Sequence, residues 1–409
     1  MQVFDVFIDG VLAGKIGRPP GLPVVFTLLE EYRQRLVRPV LGQQFEDKPR
    51  AKYWGKAEKL PAFFANLIPE NGPLRRLLEH SLGLASRDDL ALLVALGEGL
   101  PGAVEVRPGT DGAHLLDATR PAITESISEI STDDVAAFRF SLGGVQMKFS
   151  VLLEADKLRL PLRNELGSWI VKFDSTEYPN LPTNEYAVMQ WARAAGFEVP
   201  ECRLLPAAAL PELLRAQLAS SLSKEVFLIR RYDRDGIRRI HQEDFAQVAG
   251  LQPNLKYDHW SYETCAAVVR QVCGNEQYEE FIRRLVFMIA SGNTDAHLKN
   301  WSLLYPDGVN AVLTPMYDQV AVVAWLKPEW ALHFAKSKRP DQTNEAAFRQ
   351  LADASGGNPD RVIQVVRESL ANIAEAWQEE QIAKLLPAGH AESLERFWAR
   401  VPLLKGVFK

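Results

Sequence analysis

"GNTDAHLKNWSLL", Gly292 to Leu304, decides how this 409-residue chain is read. An aspartate, a histidine, a lysine and an asparagine are packed between two apolar runs, "FIRRLVFMIA" before them and "WSLLY" after. Polar side chains in apolar surroundings are costly unless something binds them. Asp295 and Asn300 carry the spacing D-x-x-x-x-N. In phosphoryl-transfer enzymes that spacing pairs a loop aspartate, which takes the proton of an acceptor hydroxyl, with an asparagine that holds magnesium. A second metal-binding aspartate should then close the following strand pair. "AVLTPMYDQV" supplies it, with Asp318 at the end of an apolar strand.

Such chemistry asks little covalent work of the protein. It needs a divalent ion on the phosphate oxygens, a cation on the phosphates that stay behind, and a base beside the attacking hydroxyl. Each remaining part has a candidate upstream. Lys172, in "WIVKFD", is a strand lysine whose apolar neighbours would bury its stem. Glu185, in the helix opening "NEYAVM", is placed to pair with it. "SLGGVQMK", Ser141 to Lys148, reads as a loop over the phosphates, since glycine lets backbone N–H groups approach them closely. The junction "LIRRYDR", with Arg230, Arg231 and Tyr232, falls where a hinge should read the adenine edge through its backbone.

Taken singly, every one of these has a plainer explanation. Asp–Asn pairs at this spacing arise by chance, a Gly-Gly pair is often a turn, and Asp318 could cap a turn. Lys172 could be a solubilising strand-edge charge and Glu185 a solvated helix residue. What makes the set informative is that all occur in one order on the expected elements. His297 lacks the HExxH or paired-histidine spacing of a metal hydrolase and is expected to hold the loop by hydrogen bonds. Lys299 either touches the transferred phosphate or steadies the loop.

The rest of the chain fits this order. "VFDVFIDGVLAGKI" is two strands around Asp9-Gly10. Helices follow in "PAFFANLIP" and in "GPLRRLLEHSLG", the latter starting near proline and closing at Gly83, and "PGAVEVRPG" is a closing strand. Residues 110–133 are polar and irregular, as in a linker. "AFRFSLGGVQMKFSVLLE" alternates like a hairpin, and "GSWIVKFD", "VPECRLLP" and "EVFLIRRYDR" add strands around the helix "NEYAVMQWARAAGF". Beyond Arg234 the pattern is helical, in "QEDFAQVAGL", "SYETCAAVVRQVC", "YEEFIRRLVFMIASG", "NEAAFRQLADASG" and "PDRVIQVVRESLANIAEAWQEEQIAKLL". A hairpin around Asp307-Gly308 interrupts it. The expectation is an α+β, bilobal protein-kinase-like fold. It has a small N-terminal α/β subdomain (1–108), a β-rich nucleotide lobe (109–229) and a helical C-terminal lobe (230–409).

Composition narrows the class. The chain is 47% hydrophobic and 24% charged, close to the soluble globular average. No run reaches the roughly 18 apolar residues of a membrane span, and the N-terminus does not read as a signal peptide, so a cytoplasmic location is expected. Three scattered cysteines argue against a disulfide framework or a zinc site. A net charge of −5 argues against nucleic-acid binding by this chain alone.

At these residues the sequence resembles the HipA family, the serine/threonine-kinase toxins of bacterial type II toxin–antitoxin systems. "FSLGGVQMKFSVLL" resembles the family's S-x-x-G-x-Q-x-K loop, and "SWIVKF" its lysine strand. "NEYAVMQWARAAGFEVPECRLL" is similar to the helix and strand that follow, and "RRYDR…RIHQEDFAQVAG" to its RFDR…HQEDF segment. "NTDAHLKNWSLL…LTPMYD" resembles its catalytic and metal motifs. "FFANLIPENGPLRRLL" and "LGEGLPGAVEV" resemble its N-terminal subdomain, so the likeness spans nearly the whole chain.

The resemblance implies an ATP- and Mg2+-dependent serine/threonine protein kinase with Asp295 as base and Asn300 and Asp318 on the metal. Nucleotide contacts would come from Gly143, Gly144, Val145, Gln146, Met147 and Lys148, from Lys172, and from Arg230, Arg231 and Tyr232. The catalytic loop would add His297, Leu298, Lys299 and Asn300, and the far strand Asp318. Ser141 matches the serine that family members phosphorylate on themselves. A phosphate there would add about −1.5 to −2 charges and hold the loop away from ATP. Implied partners are a HipB-like helix-turn-helix antitoxin that supplies most of the grip on operator DNA, and a target among the aminoacyl-tRNA synthetases, chiefly the glutamyl enzyme. Arg230 stands where the family often has glutamate, and Met147 where a charged residue is common. Two other readings keep parts of this pattern: a catalytically silent co-repressor, and a small-molecule kinase.

Overall fold

The computed structural model describes residues 2–57, 59–109, 148–154, 157–161, 165–174, 176–212, 214–215 and 224–408. The irregular segment 110–133, the first half of the hairpin at 137–154, and Ser141, Gly143, Gly144, Val145, Gln146 and Met147 all lie outside the described residues.

The chain opens with an antiparallel sheet of β1 (Gln2–Ile8), β2 (Val11–Arg18), β3 (Val25–Leu28), β4 (Lys52–Trp54) and β5 (Val104–Pro108), ordered β4-β3-β2-β1-β5. The β1–β2 turn places Asp9 at φ 47° and Gly10 at φ 73°. Two successive positive φ values match the strand twist, and Asp-Gly is the dipeptide that supplies them most cheaply. Helices α1 (Pro73–Ser81) and α2 (Asp89–Leu96) cover this sheet. The first has proline in its opening turn, as its sequence announces.

A second antiparallel sheet, ordered β7-β6-β8-β10-β9, is built from β6 (Lys148–Glu154), β7 (Lys157–Arg159), β8 (Trp169–Lys172), β9 (Cys202–Pro206) and β10 (Glu225–Arg230). Its register sets Lys148 directly opposite Lys172 and Phe227 on the other side of Lys172. Helix α3 (Leu181–Ala194) crosses the sheet and stops before Gly196, whose φ is 84°. The two sheets share one apolar core: Phe4, Val6 and Ile8 of β1 belong to the same buried cluster as Phe149, Val151, Trp169 and Val171. The opposite face of α3 enters a different core. Trp191 packs there against Phe287, Trp377 and Trp398.

A small ribbon, β11 (Arg234–Asp235) with β12 (Arg238–Arg239), leads into a three-stranded sheet of β13 (His241–Asp244), β14 (Ser302–Tyr305) and β15 (Val312–Leu313). Here the structure corrects the sequence reading, which made "QEDFAQVAGL" helical throughout. His241 and Glu243 alternate inward and pair with β14, and the helix begins only at Phe245. Asp244 accepts from the Gln247 N–H while the Gln247 side chain returns to the Asp244 N–H, a capping box that fixes the boundary. The remaining lobe is helical: α4 (Tyr262–Ala290), α5 (Glu345–Ser355), α6 (Pro359–Glu379) and α7 (His390–Trp398). Two predicted segments merge in α4, which kinks at Gly274 (φ 87°, ψ −179°).

The N-terminal sheet and its helices dock on this lobe through buried polar bonds. Gln43 N–H donates to Glu243 Oε1 at 2.7 Å, and Arg234 donates to the carbonyls of Leu100 and Gly102 at 2.9 and 3.0 Å. Arg231 and Arg234 both hold the buried Asp233, which also accepts from the Gly102 N–H.

Candidate active site

Between the second sheet and the helical lobe, five elements deliver one polar cluster. Lys172 comes from the end of β8, and only 3% of it is exposed. Its Nζ donates to Glu185 Oε1 of α3 at 2.6 Å and, on the other side, to Asp318 Oδ1. Asn300 Nδ2 donates to Asp318 Oδ2 at 3.3 Å. Asp318 adopts a left-handed backbone (φ 52°) just beyond β15, a conformation a non-glycine residue keeps only when its surroundings hold it. Asn293 contributes to that hold by donating to the Asp318 carbonyl at 3.2 Å. Lys148, paired across the sheet with Lys172, has no hydrogen-bond partner among the described residues and feels Asp318 and Lys172 most strongly.

Burial on its own would strip the charge from Lys172, but the carboxylates of Asp318 and Glu185 outweigh it and hold the ammonium protonated. Burial would likewise raise Asp318. The two lysines overcome it and hold that carboxyl far below its usual range. Glu185 differs: burial dominates over Lys172 and pushes it up to about 7. Burial also lowers Lys148, opposed by Asp318 and reinforced by the ammonium of Lys172. One ammonium is thus shared by two carboxyls, and its stronger claim is on Asp318.

Asp295 stands at the exposed lip of this cleft, and its Oδ1 accepts the Tyr257 O–H at 2.9 Å. Its loop is pinned from below: Tyr262 O–H and Trp301 Nε1–H both donate to the Ala296 carbonyl, at 3.0 and 3.3 Å. His297 is buried, edge-on to Tyr257 with ring centroids 5.0 Å apart, and its Nδ1 has no partner among the described residues. Burial, then Lys256 and Lys299, hold it neutral. Its backbone bonds within the loop, the N–H donating to the Asp295 carbonyl at 2.7 Å and the carbonyl accepting the Asn300 N–H at 2.9 Å, while its ring packs against Tyr257.

Several expectations change. Lys299 turns away from the cleft, its ammonium bound to Asp244 Oδ2 at 2.6 Å and Asn66 Oδ1 at 2.9 Å, so it steadies the loop. Leu298 is fully buried in the helical core, which removes its side chain from any nucleotide. The Arg231 guanidinium is buried against Asp233 at 2.8 and 2.7 Å, and the N–H groups of Arg230 and Arg231 already donate to Glu201 and Ser168. Those two amides therefore serve the sheet junction instead of an adenine edge. Tyr232 does face the cleft side, its ring 5.8 Å from that of Tyr317, next to Asp318. Tyr257 and Asn66 were missed because each meets the 292–300 loop only through the tertiary fold, and Asn293, inside that loop, was missed because its partner is the distant Asp318 carbonyl.

Three polar atoms around this cluster are buried without partners among the described residues: Glu185 Oε2, His297 Nδ1 and Asn300 Oδ1. The Asn300 oxygen, beside the Asp318 carboxylate, is the kind of hard donor magnesium takes. Among the described residues no group of three or more His, Cys, Asp or Glu forms a cage for a metal. The donor set suits an ion held by a few protein oxygens and completed by phosphate and water.

Comparison with known proteins gives the lineage. The HipA N-terminal domain matches residues 4–107, and the HipA-like C-terminal domain matches residues 140–377, more than half of the chain. This chain belongs to the HipA family. It is 35% identical to "Putative kinase Y4dM" of Sinorhizobium fredii over 99% of this chain and 98% of that one. It is 26% identical to the serine/threonine-protein kinase toxin HipA of Shewanella oneidensis, over 74% of this chain and 72% of that one. The solved complex of Shewanella oneidensis HipA, HipB and operator DNA contains the same fold, with a TM-score of 0.70 at 18% identity over 96% of this chain and 94% of that one. The α+β architecture, a curled sheet on a helical lobe, is thus the HipA fold. No helix among the described residues is long and apolar enough to cross a membrane.

Proposed function

We propose that the protein is an ATP- and Mg2+-dependent serine/threonine protein kinase of the toxin type. The carrying observation is the convergence of Lys172, Glu185, Asn300 and Asp318 on one cleft with Asp295 at its lip. Asn300 Oδ1 and the Asp318 carboxylate would hold magnesium, which when bound neutralises phosphate oxygens. Lys172 would contact the phosphates that stay behind, and Lys148 would add a second ammonium from the neighbouring strand. Asp295 accepts the proton of a serine or threonine hydroxyl as its oxygen bonds to the γ-phosphorus. The bond from that phosphorus to the bridging oxygen breaks, and ADP leaves.

The likeness to HipA supports the rest. Ser141 would be the site of self-inactivation, located by mass spectrometry after incubation with ATP. A HipB-like antitoxin would neutralise the kinase and tether it to operator DNA, and an aminoacyl-tRNA synthetase, the glutamyl enzyme first, would be the target. The direct test is γ-labelled ATP in a bacterial lysate, with the labelled protein identified. The expected result is one dominant labelled protein with the parent and none with Asp295→Ala. Equal labelling by Asp295→Ala would refute the assignment of the base.

A further inference from the structure

Tyr257 belongs to none of the motifs, yet it is the residue bonded to the base. It lies on the turn before α4, and its O–H reaches Asp295 Oδ1 at 2.9 Å. Its ring stands edge-on to His297, and the Lys256 ammonium sits 5.6 Å from the ring centroid. Lys256 is itself anchored: its Nζ holds both oxygens of Glu70 at 3.1 and 3.2 Å, and its carbonyl accepts the Leu298 N–H at 3.1 Å. The turn that carries the tyrosine is therefore tied to the N-terminal sheet unit on one side and to the catalytic loop on the other.

We infer that Tyr257 is a positioning residue for phosphoryl transfer, which takes one oxygen of Asp295 and so aims the other at the acceptor hydroxyl. This rests on the kinase reading of Asp295. A carboxylate at an exposed lip has a broad, nearly two-fold terminal torsion, whereas a base must come within hydrogen-bond reach of one particular proton. Among the described residues only Oδ1 is engaged, which leaves Oδ2 for the substrate. The phenol stays a donor at neutral pH, because burial and the adjacent Asp295 carboxylate both push its own ionisation up.

Among the described residues the charged or titratable groups acting on Asp295 are Tyr257 and Lys256 on the turn, Glu70 from the N-terminal unit, Asp318 across the cleft, Tyr178 from the loop before α3, and Tyr262 beneath. Burial raises the carboxyl, and the Tyr257 hydrogen bond is the strongest influence against it, followed by Lys256. Tyr257→Phe keeps the ring between His297 and Lys256 but deletes the donor. The acid limb of kcat/KM should then move up by about one pH unit. The plateau kcat should fall roughly tenfold, with KM for ATP unchanged.

A second readout does not need catalysis. Carbon-13 NMR of aspartate-labelled protein, with the resonance assigned by Asp295→Asn, should show the Asp295 titration moving up by the same amount in Tyr257→Phe. An unmoved midpoint together with an unmoved acid limb overturns the role. A moved midpoint with parent-like kcat also overturns it, since aiming would then be irrelevant. If the parent transfers no phosphate to any protein, the kinase reading fails and this role fails with it. The NMR titration distinguishes that case from an absent hydrogen bond.

Discussion

Replacing Lys172 with methionine separates what this ammonium does for the fold from what it does for the chemistry. Methionine keeps the length and apolar stem of lysine but takes from Glu185 and Asp318 the ammonium they share, leaving Lys148 as their nearby cation. Breaking a buried ion pair by removing one partner costs about 3–5 kcal/mol. The penalty should depend on pH in a defined direction. Glu185 already sits at about 7, because burial outweighs the lysine, and without the lysine it must rise further. A carboxyl whose folded pKa lies above its unfolded value of about 4.3 binds more protons folded than unfolded, so stability falls as pH rises between the two. Lys172→Met should therefore already lose stability at pH 5, where Asp318 is left without its main cation, and lose more by pH 8 as Glu185 is forced to ionise. Adding Glu185→Gln removes the titrating group and should restore about 2 kcal/mol at pH 8, by relieving the buried charge. Neither variant should transfer phosphate. Urea unfolding followed by the fluorescence of the nine tryptophans, run beside a labelled-ATP assay, measures both. A double variant no more stable than Lys172→Met at pH 8, or parental activity in either variant, would overturn this role for Lys172.

Other consequences follow from the same contacts. Asn66→Ala frees the Lys299 ammonium on one side and should lower kcat several-fold without changing nucleotide affinity, as read by steady-state kinetics and nucleotide titration. Burial pushes Glu243 up to about 8, opposed by Tyr305 and the Gln43 N–H. It is thus largely protonated at neutral pH, and Glu243→Gln should cost under about 1 kcal/mol at pH 6 and become the more stable form above pH 8. A large loss at both pH values in chemical unfolding would contradict this.

Much of this could be read from the chain because the motifs are local. The Asp9-Gly10 turn, the proline that opens α1, the glycine after α3 and the Asp307-Gly308 hairpin each fix a boundary through a backbone preference that one or two residues express. The cluster of Lys172, Glu185, Asn300 and Asp318 was legible because it reuses an ordered set of parts on separate elements. Residues that act only after folding were not legible. Gln242 and Glu243 looked helical because their pairing partner lies in β14, far along the chain. Arg231 looked like a hinge residue, but Asp233 and Ser150 claim its guanidinium in the interior. Lys299 sat inside the motif, yet its partner Asn66 belongs to the N-terminal unit, and no spacing rule connects them. Tyr257 carried no pattern at all.

On the proposed function, Asn300 and Asp318 jointly hold a metal beside a nucleotide gripped by Lys172. A crystal structure with a non-hydrolysable ATP analogue and magnesium tests it most directly. Expected is an ion at about 2.1 Å from Asn300 Oδ1 and from an Asp318 oxygen, with the Lys172 ammonium moved from Asp318 onto phosphate oxygens. A nucleotide bound elsewhere, or a metal that leaves Asn300 unengaged, would contradict it.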